Sequence, residues 1–502
     1  RRRPHPRYPP PNQTTTVCTA HRLASSATSK RAPSHRQPPP ARAAPARLPS
    51  RAVRQACGAA HAAPPRLGAR AGRLHRRRCA RPVPAQRPSA VRPAGAARAR
   101  QALLRPPGHH LLPLGQPALA RRACLSELLG APRVRGFRHA REAEAAALIA
   151  AVRDASRAGC PVNLSERLLS TSNRVVMRVA FGDHGGEGSA AAVVVLEEAQ
   201  KHFGAFYVSD YVPWLGWLDA LRGLPRRLER YFHELDAFYE RLIHDHLNKA
   251  KAADSDSMED DLVDVLLRLH GDPAHRATFG SRDATKGILM DIFIAGTDTT
   301  AATLEWTMTE LIRHPDILSK AQHEVRSIME GSGDDNDRDM VRETDLPRLR
   351  YLKQVIRESM RLHPPAPLLV PRETTEACTV RGYEIPARTR VIVNAAAIGR
   401  DPDAWGPDAA RFVPERHEGE GVDLSDHKPW HDSFALVPFG MGRRSCPAVH
   451  FATAVVELLL ANLLFCFDWP APRGEVDVEE KQGLIVSRKN PLVLVAEGRR
   501  CV

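Results

Sequence analysis

Apolar and polar positions follow a helical rhythm over most of the chain after residue 120, and no rhythm before it. In LPRRLERYFHELDAFYERLIHDHLNKA, the apolar residues Leu228, Phe232, Leu235, Phe238 and Leu242 fall three and four apart, lining one helix face. REAEAAALIAAVRDA repeats that spacing on an alanine-rich background. DATKGILMDIFIAGTDTTAATLEWTMTELIRHP opens on an Asp283 start signal and stops at Pro315. A helix of about thirty residues, about 45 Å long, is expected there, enough to cross a whole domain. FATAVVELLLANLLFCF is apolar nearly all round and reads as a buried helix. CTVRGYEIPARTRVIVNAAAIG alternates, is rich in β-branched residues and carries turn signals, which predicts short strands. The tail GLIVSRKNPLVLVAE predicts a final hairpin-like pair. The fold class is therefore mainly α with a minor β-sheet.

Residues 1–120 lack both the helical and the strand period. They hold 23 Arg, 1 Lys, no Asp or Glu, and 21 of the 42 prolines, and their apolar content is mostly alanine. Such a segment buries too little to offset the entropy of ordering, and disorder is expected. The remaining chain carries 49 basic and 57 acidic residues, so the overall charge of +16 comes from this tract alone. A basic tract can attract nucleic acid or an anionic membrane surface. Without interleaved aromatics or a folded reader module, no specific nucleic-acid partner is expected. Arg, Ala, Pro, Gly and His are also what GC-rich codons yield in a wrong frame, and the change at Arg121 reads as a frame restored. Residues 1–120 and 121–502 are thus two unlike pieces.

The nine cysteines show no CxxC pair or regular spacing, which argues against a disulfide scaffold or a structural zinc site and favours a reducing compartment. No run of 18 apolar residues suggests a membrane-spanning helix. No signal peptide opens the chain, LLPLGQPALA being too short and broken by prolines.

Four stretches carry candidate chemistry. AGTDTT, Ala295 to Thr300, puts glycine and hydroxyl residues in mid-helix, where they are locally unfavourable. Gly296 invites close approach of a ligand, back-bonding hydroxyls can open a small groove, and Asp298 beside Thr299 offers an acid and an alcohol able to pass protons. ESMR places Glu358 and Arg361 at i,i+3, ordinarily a surface pair. FVPERH supplies Arg416, which can join that pair in a buried network. PFGMGRRSCPAVHF sets Cys446 between a glycine-arginine turn and a helix start. An unpaired cysteine is most often a buried structural residue; the alternative is that Cys446 binds something that needs a thiolate.

Taken in that order, AGTDTT, ESMR, PER and Phe439-x-x-Gly442-x-Arg444-x-Cys446 resemble the cytochrome P-450 superfamily of haem-thiolate monooxygenases. DYVPWLGWLDAL, DLPRLRYLKQVIRESMRLHPPAPLLVPRE and GRRSCP are similar to plant A-type microsomal members, and the resemblance spans about Arg121 to Val502. It implies the P-450 fold with a long central helix over haem b, Cys446 as axial ligand of the iron, Phe439 shielding the sulfur and Gly442 permitting the turn. The helix dipole behind Cys446 would favour the thiolate. Arg444, Arg372 and Arg121 would pair with haem propionates. Asp298 and Thr299 match the proton-delivery pair, and Glu358, Arg361 and Arg416 the structural salt-bridge network. Phe293, Ala295, Ala366, Leu368, Leu369, Val370, Leu484 and Ile485 would line a pocket for a small hydrophobic substrate. The expected partners are O2 and an NADPH-cytochrome reductase, with NADPH acting only through it. A monomer on the cytosolic face of the endoplasmic reticulum is expected.

The chain departs from the family pattern at several points. Ala448 stands where glycine is usual, costing roughly 1 kcal/mol if that position needs positive φ. His417 replaces the usual Phe. Pro117 stands where a propionate-binding Trp belongs, and the anchor, hinge, small β-rich lobe and substrate-covering loop are not recognisable before Arg121. Those gaps raise a second reading, a degenerate relative that binds no haem. A third, a reductase-independent isomerase or dehydratase, is disfavoured by the Asp298–Thr299 pair.

Overall fold

The periodic segments fold into eight principal helices among the described residues: α1 (Arg138–Arg157), α2 (Leu164–Phe181), α3 (Leu224–Ala252), α4 (Leu262–Gly271), α5 (Arg282–Arg313), α6 (Pro315–Glu330), α7 (Arg350–Leu362) and α8 (Val449–Cys466). The computed structural model describes residues 124–182, 207–210, 212–252, 261–273, 275, 279–330, 339–374, 376–419, 434–442, 445–472, 474–481 and 483–499. All belong to one compact unit, Arg76–Val502. The Arg/Pro/Ala-rich tract 1–120 lies outside them, as does Arg121.

The long helix sits where its composition demands. Ser281 caps α5 by accepting the Asp283 N–H at 3.1 Å, and the helix ends at Arg313, two residues before Pro315. It packs against α2, α4, α6, α7 and α8, which makes it the axis of the domain. Gly296 serves that packing. A Cβ there would stand 3.1 Å from Val176 Cγ2, so the missing side chain lets α2 close on α5. Beside that contact, Phe293 stacks on Phe181 with centroids 6.4 Å apart. The threonines of α5 donate to carbonyls one turn back: Thr297 to Phe293, Thr299 to Ala295, Thr300 to Gly296 and Thr303 to Thr299. With those hydroxyls satisfied in place, the helix runs unbroken and the expected groove does not open.

On α3 the predicted stripe is the buried one: Leu228, Phe232, Leu235 and Phe238 are in the core, with Leu242 at its edge. α8 is apolar and long enough to cross a membrane, with a mean hydropathy of 1.9, yet 78% of it is buried inside the domain. Among its few polar residues, Asn462 does the most structural bonding. Asn462, fully buried, accepts the Val341 N–H and donates to Val341 O and Leu458 O, all at 2.9 Å. A single side chain thus satisfies a buried loop that has no strand partner.

The β-structure is scattered into pairs. β1 (Val162–Asn163) pairs with β9 (Val493–Leu494), β2 (Arg372–Glu373) with β5 (Arg390–Val391) and β3 (Cys378–Val380) with β4 (Tyr383–Ile385), all antiparallel. Likewise β6 (Phe467–Asp468) pairs with β10 (Glu497–Gly498) and β7 (Glu480–Lys481) with β8 (Ser487–Arg488). Two sequence expectations are corrected here. The tail does not pair with itself, because β8, β9 and β10 each find a different, earlier strand. NAAAIG does not continue the strands either. Asn394 accepts the Ala397 N–H at 2.9 Å and caps a helical turn, Ala395–Gly399.

Asn462→Ala leaves both polar groups of Val341 buried without a partner. It is expected to cost about 3 kcal/mol, read as a lower urea midpoint at unchanged slope.

Candidate functional site

Cys446 closes a loop built by two left-handed glycines. Gly440 and Gly442 have φ of +70° and +67°, a region that favours glycine. Gly440 donates to Val437 O at 3.0 Å, Ser445 to Gly442 O at 3.0 Å, and Cys446 to Phe439 O at 2.7 Å. The half-buried Cys446 is thereby held two residues before the Ala448 N-cap of α8. No side chain caps that end, so the positive pole of a buried helix lies next to the sulfur. Ala448 has φ −99°, so the positive φ that would have penalised alanine is not used. Phe439 lies against the core edge, and Arg444 is outside the described residues.

The network around Glu358 is larger than the sequence suggests. Arg361 Nε and Nη2 donate to Glu358 at 2.8 and 2.7 Å, and Arg416 Nε donates at 2.9 Å. The Val413 N–H adds a bond at 2.9 Å, and His417 Nε2 another at 2.8 Å. Glu358, Arg361 and His417 side chains are wholly buried. Burial pushes the Glu358 carboxyl up, but hydrogen bonds and charge from Arg361 and His417 outweigh it and hold the group at about 2. Arg361 also donates to the carbonyls of Gly399, Ala409 and Arg411 and lies 5.0 Å over the Trp405 ring. A Cβ at Gly399 would stand 2.2 Å from Arg361 O, so only glycine fits. His417 was legible in the sequence only as a departure; its ring nitrogen makes it a donor where phenylalanine has none.

A second cluster joins the predicted pocket segments. Trp306 of α5 stacks on His363, centroids 4.3 Å apart and planes within 3°, while His363 Nε2 donates to Glu310 at 2.7 Å. Burial pushes Glu310 up, and the His363 bond with nearby positive charge brings it below its ordinary value. Trp306 Nε1 donates to Val486 O at 3.0 Å, and the Val486 N–H donates to Pro365 O at 2.9 Å. The long helix, the 364–371 loop and the 483–486 tail are thus tied together. None of these links was anticipated, because each pairs a side chain or carbonyl with a distant backbone group.

The predicted pocket residues divide. Leu368, Val370 and Leu484 are 50%, 72% and 52% exposed, a large exposure for apolar side chains, and Ala295 is exposed with them. Ala366, Leu369 and Ile485 are half-buried. Phe293, expected in the lining, is 1% exposed and belongs to the core beside Phe181. Asp298 and Thr299 are half-buried on α5, with Thr299 Oγ1 donating to Ala295 O at 2.6 Å. Arg372 Nη2 donates to Met441 O at 2.7 Å and so reaches the Cys446 loop.

This donor set suits one axial thiolate rather than a chelated ion. Among the described residues no trio of metal-type ligands gathers around Cys446; the one such trio is His246, Asp261 and Asp264. Exposed apolar side chains on the pocket segments, a glycine loop and a single thiol fit a large flat apolar group such as haem.

The cytochrome P450 family model matches residues 116–495. The chain is 45% identical to cytochrome P450 71A9 of Glycine max, over 75% of this chain and 74% of that one. It is 42% identical to strychnine-11-hydroxylase of Strychnos nux-vomica (75% and 72%) and 44% to cytochrome P450 71A1 of Persea americana (75% and 74%).

Because folded Glu358 sits below its free value of 4.5, its stabilisation is complete above that pH and drains away as pH falls toward about 2. Glu358→Ala is expected to cost about 3–5 kcal/mol by stranding buried arginine, read as loss of soluble folded protein. His417→Phe removes one donor, costs about 2 kcal/mol, and moves the acid unfolding midpoint to higher pH.

Proposed function

The chain belongs to the cytochrome P450 family, as a plant A-type monooxygenase of secondary metabolism, and from that premise we propose that Cys446 holds haem iron for oxygen insertion into a small lipophilic plant metabolite. The Cys446 loop is the observation that carries the reading. Two left-handed glycines and the 2.7 Å Cys446-to-Phe439 bond aim one thiol from the uncapped start of a buried helix. When bound, haem b supplies dioxygen activation, which an axial thiolate favours over imidazole.

The remaining roles fall to side chains. Arg372 steadies the ligand loop through Met441 O and stands ready for a propionate; Arg444 and Arg121 are assigned propionates from their place in the motifs alone. Thr299 Oγ1 can swing its proton away from Ala295 O, and the Asp298 carboxyl can replenish it, so proton supply is metered by one hydroxyl. Leu368, Val370 and Leu484 offer apolar contact that excludes water from a substrate, with little polar chemistry to choose among substrates. The name strychnine-11-hydroxylase specifies a hydroxylation by that relative; we extend the reaction class, not the alkaloid. Electrons are assigned to NADPH through a reductase on the cytosolic face of the endoplasmic reticulum.

The reduced, carbon-monoxide-treated protein is expected to absorb at about 450 nm, and Cys446→Ala to lose that band; a full haem complement with unaltered spectrum in Cys446→Ala would overturn the reading. Thr299→Ala is expected to slow product formation about a hundredfold while Thr299→Ser keeps most of it, measured as product per NADPH consumed.

A further inference from the structure

Leu369 differs from both neighbours in a way its sequence context hides. Its φ is +49°, a left-handed conformation that is a true outlier for a bulky side chain. The segment around it is stiff. Pro364, Pro365, Pro367 and Pro371 fix four backbone angles. A turn is closed by the Leu369 N–H on Ala366 O at 3.0 Å. Pro365 O is held by the Val486 N–H at 2.9 Å and Pro367 O by the Ala396 N–H at 3.2 Å. In an extended strand, alternate residues face opposite ways. The same alternation is kept here across a left-handed residue. Leu368 and Val370 stay 50% and 72% exposed, while Leu369 Cδ1 lies beside Gly440 of the Cys446 loop, 3.9 Å from the point a Cβ added there would occupy. Arg372 Nη2 arrives at the same place, 3.8 Å from that position.

We propose that Leu369 is a positioning residue: it braces the Cys446 loop at Gly440 and leaves Leu368 and Val370 as the surface that meets substrate. This rests on the haem-thiolate reading above. Local strain is retained where surrounding structure over-determines it, commonly next to a functional site. Here it is held by prolines and three backbone hydrogen bonds, and its result is that one short loop serves two sites. Two neighbours in sequence choose substrate, and the residue between them controls the axial ligand.

The test uses imidazole and 4-phenylimidazole as iron ligands, since their affinity ratio reports apolar contact in the pocket independently of iron binding. Leu368→Ala and Val370→Ala are expected to lower that ratio about tenfold with the band at about 450 nm intact. Leu369→Ala is expected to keep the ratio within about twofold and to convert part of that band to shorter wavelength, with Leu369→Met restoring it. Leu369→Gly relieves the left-handed strain yet lacks the brace, so the same spectral conversion without a lower melting temperature separates positioning from folding. A Leu369→Ala protein that loses phenyl preference like its neighbours while keeping the band, or that changes in neither respect, overturns the proposal alone. Wild-type protein with no band there overturns the haem-thiolate reading and this proposal together.

Discussion

A carboxylate with no access to water holds this domain in register. Glu358 is buried where an unpaired charge would be prohibitive, so the chain must bring donors to it from three directions. Arg361 comes from the same helix, the Val413 amide from the approaching loop, and Arg416 and His417 from the turn that follows. Arg361 then spends its remaining N–H groups on the carbonyls of Gly399, Ala409 and Arg411. One charge therefore orders the whole stretch between the end of α7 and residue 417. Replacing such a cluster with apolar side chains can be neutral for stability in other proteins. Here the cluster ties three separate segments to one buried acceptor, so that removing any one of them strands a charge.

What that arrangement positions is the loop leaving α7. His363 lies one residue past the helix end, pressed on Trp306, and the prolines after it carry the chain to β2 and the Cys446 loop. Each attachment is small. A stacked pair, a carbonyl to Val486, and an arginine to Met441 O would each be modest alone. Together they connect the central helix, the C-terminal tail and the thiol loop through eleven residues of rigid chain, 363–373.

The long helices were legible because burial repeats with the helical period, and α3 shows its predicted stripe face-on to the core. The Cys446 loop and the Glu358–Arg361–Arg416 cluster were legible because their residue types and order are costly to place elsewhere. Misreadings share one cause. The tail strands and NAAAIG were judged from neighbours in sequence, but pairing with the earlier strands β7, β1 and β6 and an Asn394 cap decided them. His417 departs from the family pattern and donates a hydrogen bond, since a ring nitrogen and a phenyl ring differ only when an acceptor is waiting.

The strand pairs also dictate an order of events during synthesis. β9 joins β1, so a strand near the end of the described residues seals a segment made far earlier. Pairings so distant along the chain are slow, since loop closure must precede any gain. A ribosome that has finished α8 has produced every helix described here but not the strands that fasten them. Until Val493 and Leu494 emerge, β1 between α1 and α2 lacks its strand partner, a window in which chaperones have the greatest purchase.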